Sequence, residues 1–261
     1  MHKQLISIIT INRNDLKGLN RTFNSVFNQI YQDYEYIIID GGSDDGSKEL
    51  IEKNQEKISY WISEPDKGVY NAMNKGIARA SGEYILFLNS GDELYDENVL
   101  ENHNKQINTE DLIYFNINVI GENTNYIKDY PETITFSYLY RESLPHPATF
   151  IKKELFYKIG LYDEDLKIVS DWKFFMLALA KYNATYRYNN NTLSIFYLDG
   201  ISSDKANRKV QKAERKQTIN THFQIFEKET KEYLYLKKLM NKLKKPKKIK
   251  YLSKFNIINR L

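Results

Sequence analysis

The chain has 261 residues, enough for one large domain with a substantial core or for a domain with an appendage. A hydrophobic content of 41% is typical of a globular protein, and the absence of cysteine excludes disulfides, thiolate metal sites and thiol nucleophiles. The first residues lack the pattern of a signal peptide and no apolar stretch has the length of a membrane span, so we expect a cytoplasmic protein.

The net charge of +4 is distributed unevenly. Residues 236–261 contain ten lysines and arginines and no acid, so residues 1–235 carry a net charge of −6. We therefore expect an acidic domain over residues 1–203 and a helical, basic C-terminal extension over residues 204–261.

Residues 1–94 alternate between strand and helix patterns. Short apolar runs predict buried strands at residues 5–11, 36–39, 58–62 and 84–88. Amphipathic spacing predicts helices at residues 19–30, 48–54 and 69–80. Asp15 is suited to cap the first of these helices. Strands and helices that alternate with short connections predict a mostly parallel sheet flanked by helices.

The pattern after residue 94 is less regular. Helices are predicted at residues 98–107, 152–159 and 171–182. Strands are predicted at residues 112–120, 126–128, 184–188 and 193–197. One long polar helix at residues 206–239 is expected to lead into the basic tail.

A carboxylate-bearing turn follows the strand at residues 84–88. Ligands of open α/β folds bind beyond the carboxyl ends of the strands, and a carboxylate there can hold a divalent cation that in turn binds phosphate. Asp92 is the candidate ligand. Alternatively, Asp92 and Glu93 simply begin the next helix, because acids favour the first turn of a helix.

Two other segments are candidate ligand sites. Asp40 opens a glycine-rich turn, where a carboxylate would accept hydrogen bonds from a sugar hydroxyl or a base N–H, although the turn could equally be structural. Lys67, Asn71 and Lys75 cluster at the start and along one face of the next helix, where cations and N–H groups can bind phosphate. An ordinary capped and solvated helix explains that cluster as well. The first strand is not followed by Gly-x-Gly-x-x-Gly, which disfavours a nicotinamide cofactor.

Together and in this order, the motifs resemble those of the family 2 glycosyltransferases of the GT-A fold, particularly the bacterial enzymes that build capsule, exopolysaccharide and lipopolysaccharide. The matching segments are residues 8–13 (IITINR), 39–46 (IDGGSDDG), 63–68 (SEPDKG), 71–76 (NAMNKG), 87–92 (FLNSGD), 146–150 (HPATF), 160–164 (GLYDE) and 170–172 (SDW). The resemblance implies an α/β, Rossmann-like GT-A domain with a nucleotide-sugar-binding half at residues 1–120 and an acceptor-binding half at residues 121–203.

The resemblance also implies roles for individual residues. Asp171 matches the general base of inverting members, and Asp92 matches the remaining metal ligand of the family's Asp-x-Asp motif. The implied nucleotide or donor contacts are Thr10, Asn12, Asp40, Lys67, Asn71, Lys75, Asn89, Ser90 and Gly91. His146, in a proline-bounded loop, is a candidate contact for acceptor or phosphate, with a packed core histidine as the alternative. Residues 200–203 resemble a segment that closes near the active site.

Two positions depart from the family pattern. Gly41 stands where many relatives have a second Asp, so Asp40 or the backbone must recognise the base. Asn89 stands at an acidic position of the Asp-x-Asp motif, which leaves Asp92 as the single matched carboxylate. We therefore expect Mn²⁺ or Mg²⁺ to bind mainly as a complex with the donor diphosphate.

The implied function is inverting, metal-dependent transfer of a hexosyl or N-acetylhexosaminyl group from a nucleotide-sugar, with UDP favoured, to a glycan or lipid-linked glycan in surface polysaccharide biosynthesis. Asp171 would accept the proton of the acceptor hydroxyl, although an acid in the first turn of a helix also has a purely structural explanation. A degenerate scaffold that binds nucleotide-sugar or glycan is the second interpretation. A sugar nucleotidyltransferase is the third, and it would require a basic glycine-rich loop after the first strand.

The lysine-rich segment at residues 237–250 and the apolar residues that follow it predict attachment to an anionic membrane surface. The expected location is therefore peripheral, at the inner face of the plasma membrane, where a lipid-linked acceptor would be found. A plain solvated tail is the alternative. Nucleic acid is a less favoured partner because the rest of the chain is acidic.

Overall fold

The structure is a computed structural model that describes residues 5–198 and 205–243. The predicted closing segment at residues 200–203 and the lysine-rich tail from residue 244 lie outside the described residues. In the described part, one mixed sheet of nine strands is flanked by helices, so the predicted α/β architecture is confirmed.

The first half of the chain alternates strands and helices as predicted. Its strands are β1 (Ile6–Asn12), β2 (Tyr34–Asp40), β3 (Tyr60–Ser63) and β4 (Tyr84–Phe87). Its helices are α1 (Leu16–Phe27), α2 (Ser47–Lys53) and α3 (Val69–Arg79). β1 lies between β2 and β4, β3 pairs with β2, and all three pairings are parallel. The Asp15 carboxylate accepts a 2.9 Å hydrogen bond from the Gly18 amide, so Asp15 caps α1 as predicted.

The second half extends the same sheet with mixed strand directions. Its strands are β5 (Glu93–Leu94), β6 (Leu112–Gly121), β7 (Thr124–Lys128), β8 (Thr149–Lys152) and β9 (Tyr186–Tyr197). Its helices are α4 (Val99–His103), α5 (Phe136–Leu139), α6 (Glu154–Ile159), α7 (Ser170–Ala180), α8 (Arg208–His222) and α9 (Gln224–Leu243). β8 is antiparallel to both β4 and β6, and β9 is parallel to β6.

The structure differs from the predicted elements in several places, and the sequence does not predict the short elements β5 and α5. The sequence does not predict β8, which is only four residues long. The strands expected at residues 184–188 and 193–197 are one strand, because a register shift around Asn116 lets β9 remain paired with β6. The helix expected at residues 206–239 is divided at Phe223, whose buried ring packs on Phe136 with 5.5 Å between centroids.

A second apolar core joins α8 to α7. Its members are Leu139, Leu166, Val169, Trp172, Met176, Ile219 and Phe223. Ile219 and Phe223 are 3% and 2% exposed. The packed structure therefore continues past the domain boundary predicted at residue 203, and α8 is an integral part of it.

Glu214 on α8 supports the loop that leads into α7. Its carboxylate accepts hydrogen bonds from the backbone N–H groups of Lys167 (2.7 Å), Ile168 (3.1 Å) and Val169 (3.2 Å). Val169 is the residue just before α7, so these hydrogen bonds hold the loop at the point where the helix begins. A buried carboxylate distant in sequence therefore fixes the start of this helix.

Replacing Glu214 with alanine is expected to lower the free energy of unfolding by about 1–3 kcal/mol, because the buried Val169 amide loses its acceptor. Urea denaturation followed by circular dichroism measures the change. Glu229→Ala, an exposed position on α9, is the matched control and should stay within about 0.5 kcal/mol of the parent protein. Equal stability of the two variants would show that Glu214 does not hold the loop.

Candidate active site

The carboxyl ends of β1, β2 and β3 lie side by side. Asn12 is paired with Asp40, and Asp40 is paired with Ser63. The chain after β4 continues beside β1, because the Ser90 amide donates a 3.0 Å hydrogen bond to the Ile11 carbonyl. The turns that follow β1, β2 and β4 therefore meet at the edge of the sheet where α/β folds bind ligands.

Asp40 is completely buried at this edge. Its Oδ1 accepts hydrogen bonds from Asn12 Nδ2 (2.7 Å) and Ser43 Oγ (2.6 Å), and its Oδ2 accepts from Ser43 N (2.9 Å) and Ser63 Oγ (2.6 Å). Burial raises the pKa of Asp40, but these hydrogen bonds outweigh it and hold the pKa below its ordinary value. The ionised carboxylate shapes the turn. A contact of Asp40 with base or ribose stays a prediction. Such a contact would require the ligand to displace one of these donors.

Thr10 and Asn12 take different positions relative to the edge. Thr10 is completely buried beneath it, where its hydroxyl donates a 2.6 Å hydrogen bond to the Leu88 carbonyl and lies 3.0 Å from the Tyr36 hydroxyl. Thr10 is therefore a core residue and not, as expected, a lining residue of the cleft. Asn12 lies at the edge, and its Oδ1 is a buried acceptor for which the described residues provide no donor. Such an acceptor fits a hydrogen-bond donor on a ligand.

The loop at residues 89–92 is a tight turn held by α1. Gly91 has a φ of +100°, a left-handed conformation that strains any other residue. Thr22 Oγ1 accepts from the Gly91 amide (3.1 Å) and donates to the Asp92 carbonyl (2.7 Å). Arg21 Nε donates to the Gly91 carbonyl (3.0 Å), and the Ser90 hydroxyl contacts the capping residue of α1 at 3.3 Å. Side chains of α1 therefore set the shape of this loop.

Asp92 and Glu93 do not begin a helix. Glu93 opens β5, and α4 begins only at Val99. Glu93 Oε1 accepts a 2.6 Å hydrogen bond from the Tyr197 hydroxyl and lies 3.7 Å from Arg21 Nε. The interpretation of this acidic pair as a helix start is therefore wrong, and Asp92 is the acid of the pair that belongs to the loop.

Asn89 and Asp92 are the candidate ligands that this turn offers to a divalent cation. Asn89 Oδ1 is buried and has no hydrogen-bond partner in the described part of the chain, and Asp92, 8% exposed, lies in the same turn. Mn²⁺ and Mg²⁺ accept carboxylate and amide oxygens as ligands and take phosphate or water for the rest. Residues 5–198 and 205–243 contain no cluster of three potential ligands among His, Asp and Glu. The oxygens of a bound diphosphate would therefore have to complete the coordination shell.

Three residues predicted to contact the donor lie at the start of α3 and along it. The Lys67 side chain is exposed, and its amide donates a 3.2 Å hydrogen bond to Asn71 Oδ1. Asn71 Nδ2 donates to Glu164 Oε2 (2.9 Å), and Lys75 Nζ forms a 2.7 Å ion pair with Glu64. Lys67 is the more accessible cation, whereas Asn71 and Lys75 already have protein partners.

Asp171 lies in the first turn of α7, half-buried. Its Oδ1 accepts a 2.9 Å hydrogen bond from the Tyr70 hydroxyl on α3. The candidate base of the acceptor half is therefore in direct contact with the helix that carries the candidate donor contacts.

Arg215 on α8 adds positive charge beside the first turn of α7. Its guanidinium carbon lies 4.7 Å from the centre of the Trp172 ring, and its Nη1 donates a 2.7 Å hydrogen bond to the Arg141 carbonyl. Burial lowers the pKa of Arg215, and the negative charges of Asp171 and Glu142 partly offset this shift. Asp171 therefore lies in the field of a nearby cation from α8.

His146 packs among aromatic rings. Its Nε2 lies 2.8 Å from the Tyr162 hydroxyl, and its ring stacks on Phe87 with 4.8 Å between centroids. Burial lowers the pKa of His146, and the nearby charge of Asp171 only partly offsets this shift. A neutral imidazole offers no positive charge to a phosphate, so the packing fits a core histidine better. Its contact with an acceptor stays a prediction.

Sequence reasoning does not identify Tyr70, Glu214 or Arg215. Tyr70 lies on the buried face of α3, where a tyrosine looks like any other core residue in the sequence. Glu214 and Arg215 lie in a polar helix that composition assigns to an appendage. Only the three-dimensional contact with α7 distinguishes them from surface charges.

Comparison with known proteins shows the family. Residues 7–169 match the family model described as glycosyl transferase family 2. The uncharacterized glycosyltransferase Rv1514c of Mycobacterium tuberculosis is 35% identical over 178 residues, which cover 66% of this chain and 68% of that protein. The PGL/p-HBAD biosynthesis glycosyltransferase of Mycobacterium bovis is 29% identical over 180 residues, covering 67% of this chain and 69% of that protein.

Solved structures share the fold at lower identity. The crystal structure of S. aureus TarS matches with a TM-score of 0.62 and 21% identity, covering 74% of this chain and 60% of that one. The mannosyltransferase PcManGT from Pyrobaculum calidifontis matches with a TM-score of 0.59 and 14% identity, covering 79% of this chain and 60% of that one. These neighbours confirm the predicted GT-A-like fold. The family model over residues 7–169 shows that this chain belongs to glycosyl transferase family 2, and the Mycobacterium relatives agree with it.

Proposed function

We propose that this protein is an inverting, metal-dependent glycosyltransferase that transfers a hexosyl or N-acetylhexosaminyl group from a nucleotide-sugar to a glycan or lipid-linked glycan. The observation that carries this proposal is the contact between Tyr70 on the nucleotide side and Asp171 on the acceptor side. This hydrogen bond brings Asp171 into contact with α3, the helix that begins just after Lys67 and Gly68.

The solved neighbours support a nucleotide-sugar donor. TarS has been crystallised in complex with UDP and with UDP-GlcNAc, and PcManGT in complex with GDP-Man and Mn²⁺. For this chain a UDP-linked donor is favoured, and the unpaired Oδ1 of Asn12 would accept a hydrogen bond from the base or ribose. Lys67, with its exposed ammonium group, would contact the diphosphate.

The proposed reaction assigns a separate role to each of the two matched carboxylates. Asp171 would accept the proton of the acceptor hydroxyl while that oxygen attacks the anomeric carbon from the face opposite the leaving group. A new glycosidic C–O bond forms, the bond to the diphosphate oxygen breaks, and its electron pair leaves with the nucleoside diphosphate. Asp92 and Asn89 would hold Mn²⁺ or Mg²⁺, which when bound offsets the negative charge of that leaving group.

A degenerate scaffold that binds nucleotide-sugar or glycan without turnover is the second candidate function. Asn89 at an acidic position of the family's metal motif favours it, because a neutral amide binds a divalent cation less strongly than a carboxylate. Incubation with a panel of nucleotide-sugars and Mn²⁺ distinguishes the two, since only an enzyme releases nucleoside diphosphate.

The acceptor is proposed to be part of surface polysaccharide or glycolipid biosynthesis. The relative from Mycobacterium bovis is named for PGL/p-HBAD biosynthesis, which is compatible with a lipid-linked acceptor. The last turns of α9 expose Leu236 (57%) and Met240 (56%) beside Lys237 and Lys238, the composition of a helix that binds a membrane surface. None of the helices in the described ranges is both long and apolar enough to span a bilayer. We therefore propose peripheral attachment at the inner face of the plasma membrane.

Asp171→Asn is expected to reduce the rate of sugar transfer by about 10²–10⁴-fold, because the amide cannot accept the acceptor proton. UDP affinity, measured by calorimetry, should stay within about twofold, because Asp171 is not one of the proposed UDP contacts. A twofold change in Kd corresponds to about 0.4 kcal/mol. Asp165→Asn, an exposed position in the loop before α7, is the control. Loss of transfer together with UDP binding would assign Asp171 a structural role.

Metal binding is expected to depend on nucleotide. Calorimetry should show Mn²⁺ binding at least about tenfold tighter in the presence of UDP than in its absence, a difference of about 1.4 kcal/mol. Asp92→Asn should remove this enhancement because the only matched carboxylate is lost. Tight Mn²⁺ binding by the nucleotide-free protein would contradict a shell completed by the diphosphate.

The tail should bind anionic membranes through charge. We expect weaker binding to phosphatidylglycerol vesicles, measured by co-sedimentation, when glutamine replaces Lys244, Lys245, Lys247, Lys248 and Lys250. Each lysine removed should cost about 1 kcal/mol of binding free energy. Arginine at the same five positions keeps the charge and should preserve binding. Unchanged binding of the glutamine variant would overturn the membrane proposal.

A further inference from the structure

The Tyr70 hydroxyl is the hydrogen-bond donor to the Asp171 carboxylate in the described part of the chain, at 2.9 Å. Tyr70 is 5% exposed, and the two residues are 101 positions apart in sequence. We propose that Tyr70 is a positioning residue for the general base. It holds Oδ1 of Asp171 so that Oδ2 is presented to the acceptor hydroxyl. This inference rests on the proposed role of Asp171 as base.

Tyr70 can act only as a donor to this carboxylate near neutral pH. Burial, and then the negative charge of Asp171, raise the pKa of the Tyr70 hydroxyl well above its ordinary value. The backbone N–H groups of Ser170 and Asp171 lower it only in part. The hydroxyl therefore keeps its proton throughout the pH range in which a glycosyltransferase works, and the direction of the hydrogen bond is fixed.

The ring of Tyr70 is itself held rigidly. It packs against Tyr162 with 5.7 Å between centroids, and Tyr162 packs against Phe87 at 5.6 Å. Phe87 is the last residue of β4, a completely buried strand of the central sheet. Without these contacts, the Asp171 carboxylate could rotate about its two side-chain torsions. Through Tyr70, Tyr162 and Phe87 it is held in a fixed position relative to the central sheet.

The position of Tyr70 also links the base to the segment just before α3, which contains Lys67 and Gly68. Gly68, with a φ of +126°, is the residue just before α3, and Tyr70 is the second residue of that helix. Lys67, the accessible cation proposed to contact the diphosphate, lies three residues before Tyr70. One short segment therefore carries both a donor contact and the group that orients the base.

Tyr70→Phe removes the hydroxyl and keeps the ring, so it tests the hydrogen bond by itself. We expect kcat for sugar transfer to fall about tenfold, which corresponds to about 1.4 kcal/mol in the activation barrier. The KM for the nucleotide-sugar and the Kd for UDP should stay unchanged. Tyr84→Phe is the matched control, because Tyr84 is also a buried tyrosine and its hydroxyl donates a 2.9 Å hydrogen bond to the Glu110 carbonyl. Its kcat should equal that of the parent protein.

Two outcomes would overturn the inference. If kcat of Tyr70→Phe equals that of the parent while Asp171→Asn abolishes transfer, the base works without this hydrogen bond. If Tyr70→Phe loses UDP affinity along with kcat, or its thermal midpoint falls further than that of Tyr84→Phe, Tyr70 is a structural residue. Retained transfer in Asp171→Asn would instead refute the proposed role of Asp171 as base, whatever Tyr70→Phe does.

Discussion

The parallel pairing of β1 with β2 on one side and β4 on the other is the constraint on which the rest of the structure depends. β1 is buried along its whole length, so its backbone N–H and C=O groups must be paired, and both neighbours are required. Parallel strands end at the same edge, which brings Asn12, Asp40 and Asn89 together. The buried Asp40 carboxylate then fixes the geometry of that edge by accepting hydrogen bonds from three neighbouring side chains and an amide.

The candidate base depends on two helices, one that precedes α7 in the sequence and one that follows it. Tyr70 of α3 contacts the Asp171 carboxylate, and Glu214 of α8 fixes the loop before α7. The hydrogen bond from Tyr70 fixes the Asp171 side chain but not the backbone of α7. The hydrogen bonds to Glu214 fix the backbone just before α7 but not the Asp171 side chain. Together they make the position of Asp171 depend on α3, on the loop before α7 and on α8.

The parts of the fold that the sequence predicts are those with local signals. β1 to β4 are short apolar runs, Asp15 caps α1 at the expected spacing, and Asp92 and Asp171 stand in ordered motifs. The remaining features depend on contacts between distant residues. The hydrogen bond from Tyr70 to Asp171 spans 101 positions, and no local pattern indicates which buried tyrosine meets which acid. Glu214 looks solvent-exposed in a polar helix until the fold brings it against the loop before α7. Thr10 matches a family motif in sequence, yet its hydroxyl is used inside the core.

The support that Glu214 gives to α7 constrains the order of events on the ribosome. Chains fold from the N-terminus as they emerge, so the strands around β1 can assemble while the last helices are still being made. Until α8 emerges, the amides before α7 lack their acceptor, and Trp172 and Met176 lack the apolar cover of Ile219 and Phe223. The edge that carries Asn12 and Asp40 can therefore form before Trp172 and Met176 receive their apolar cover from α8.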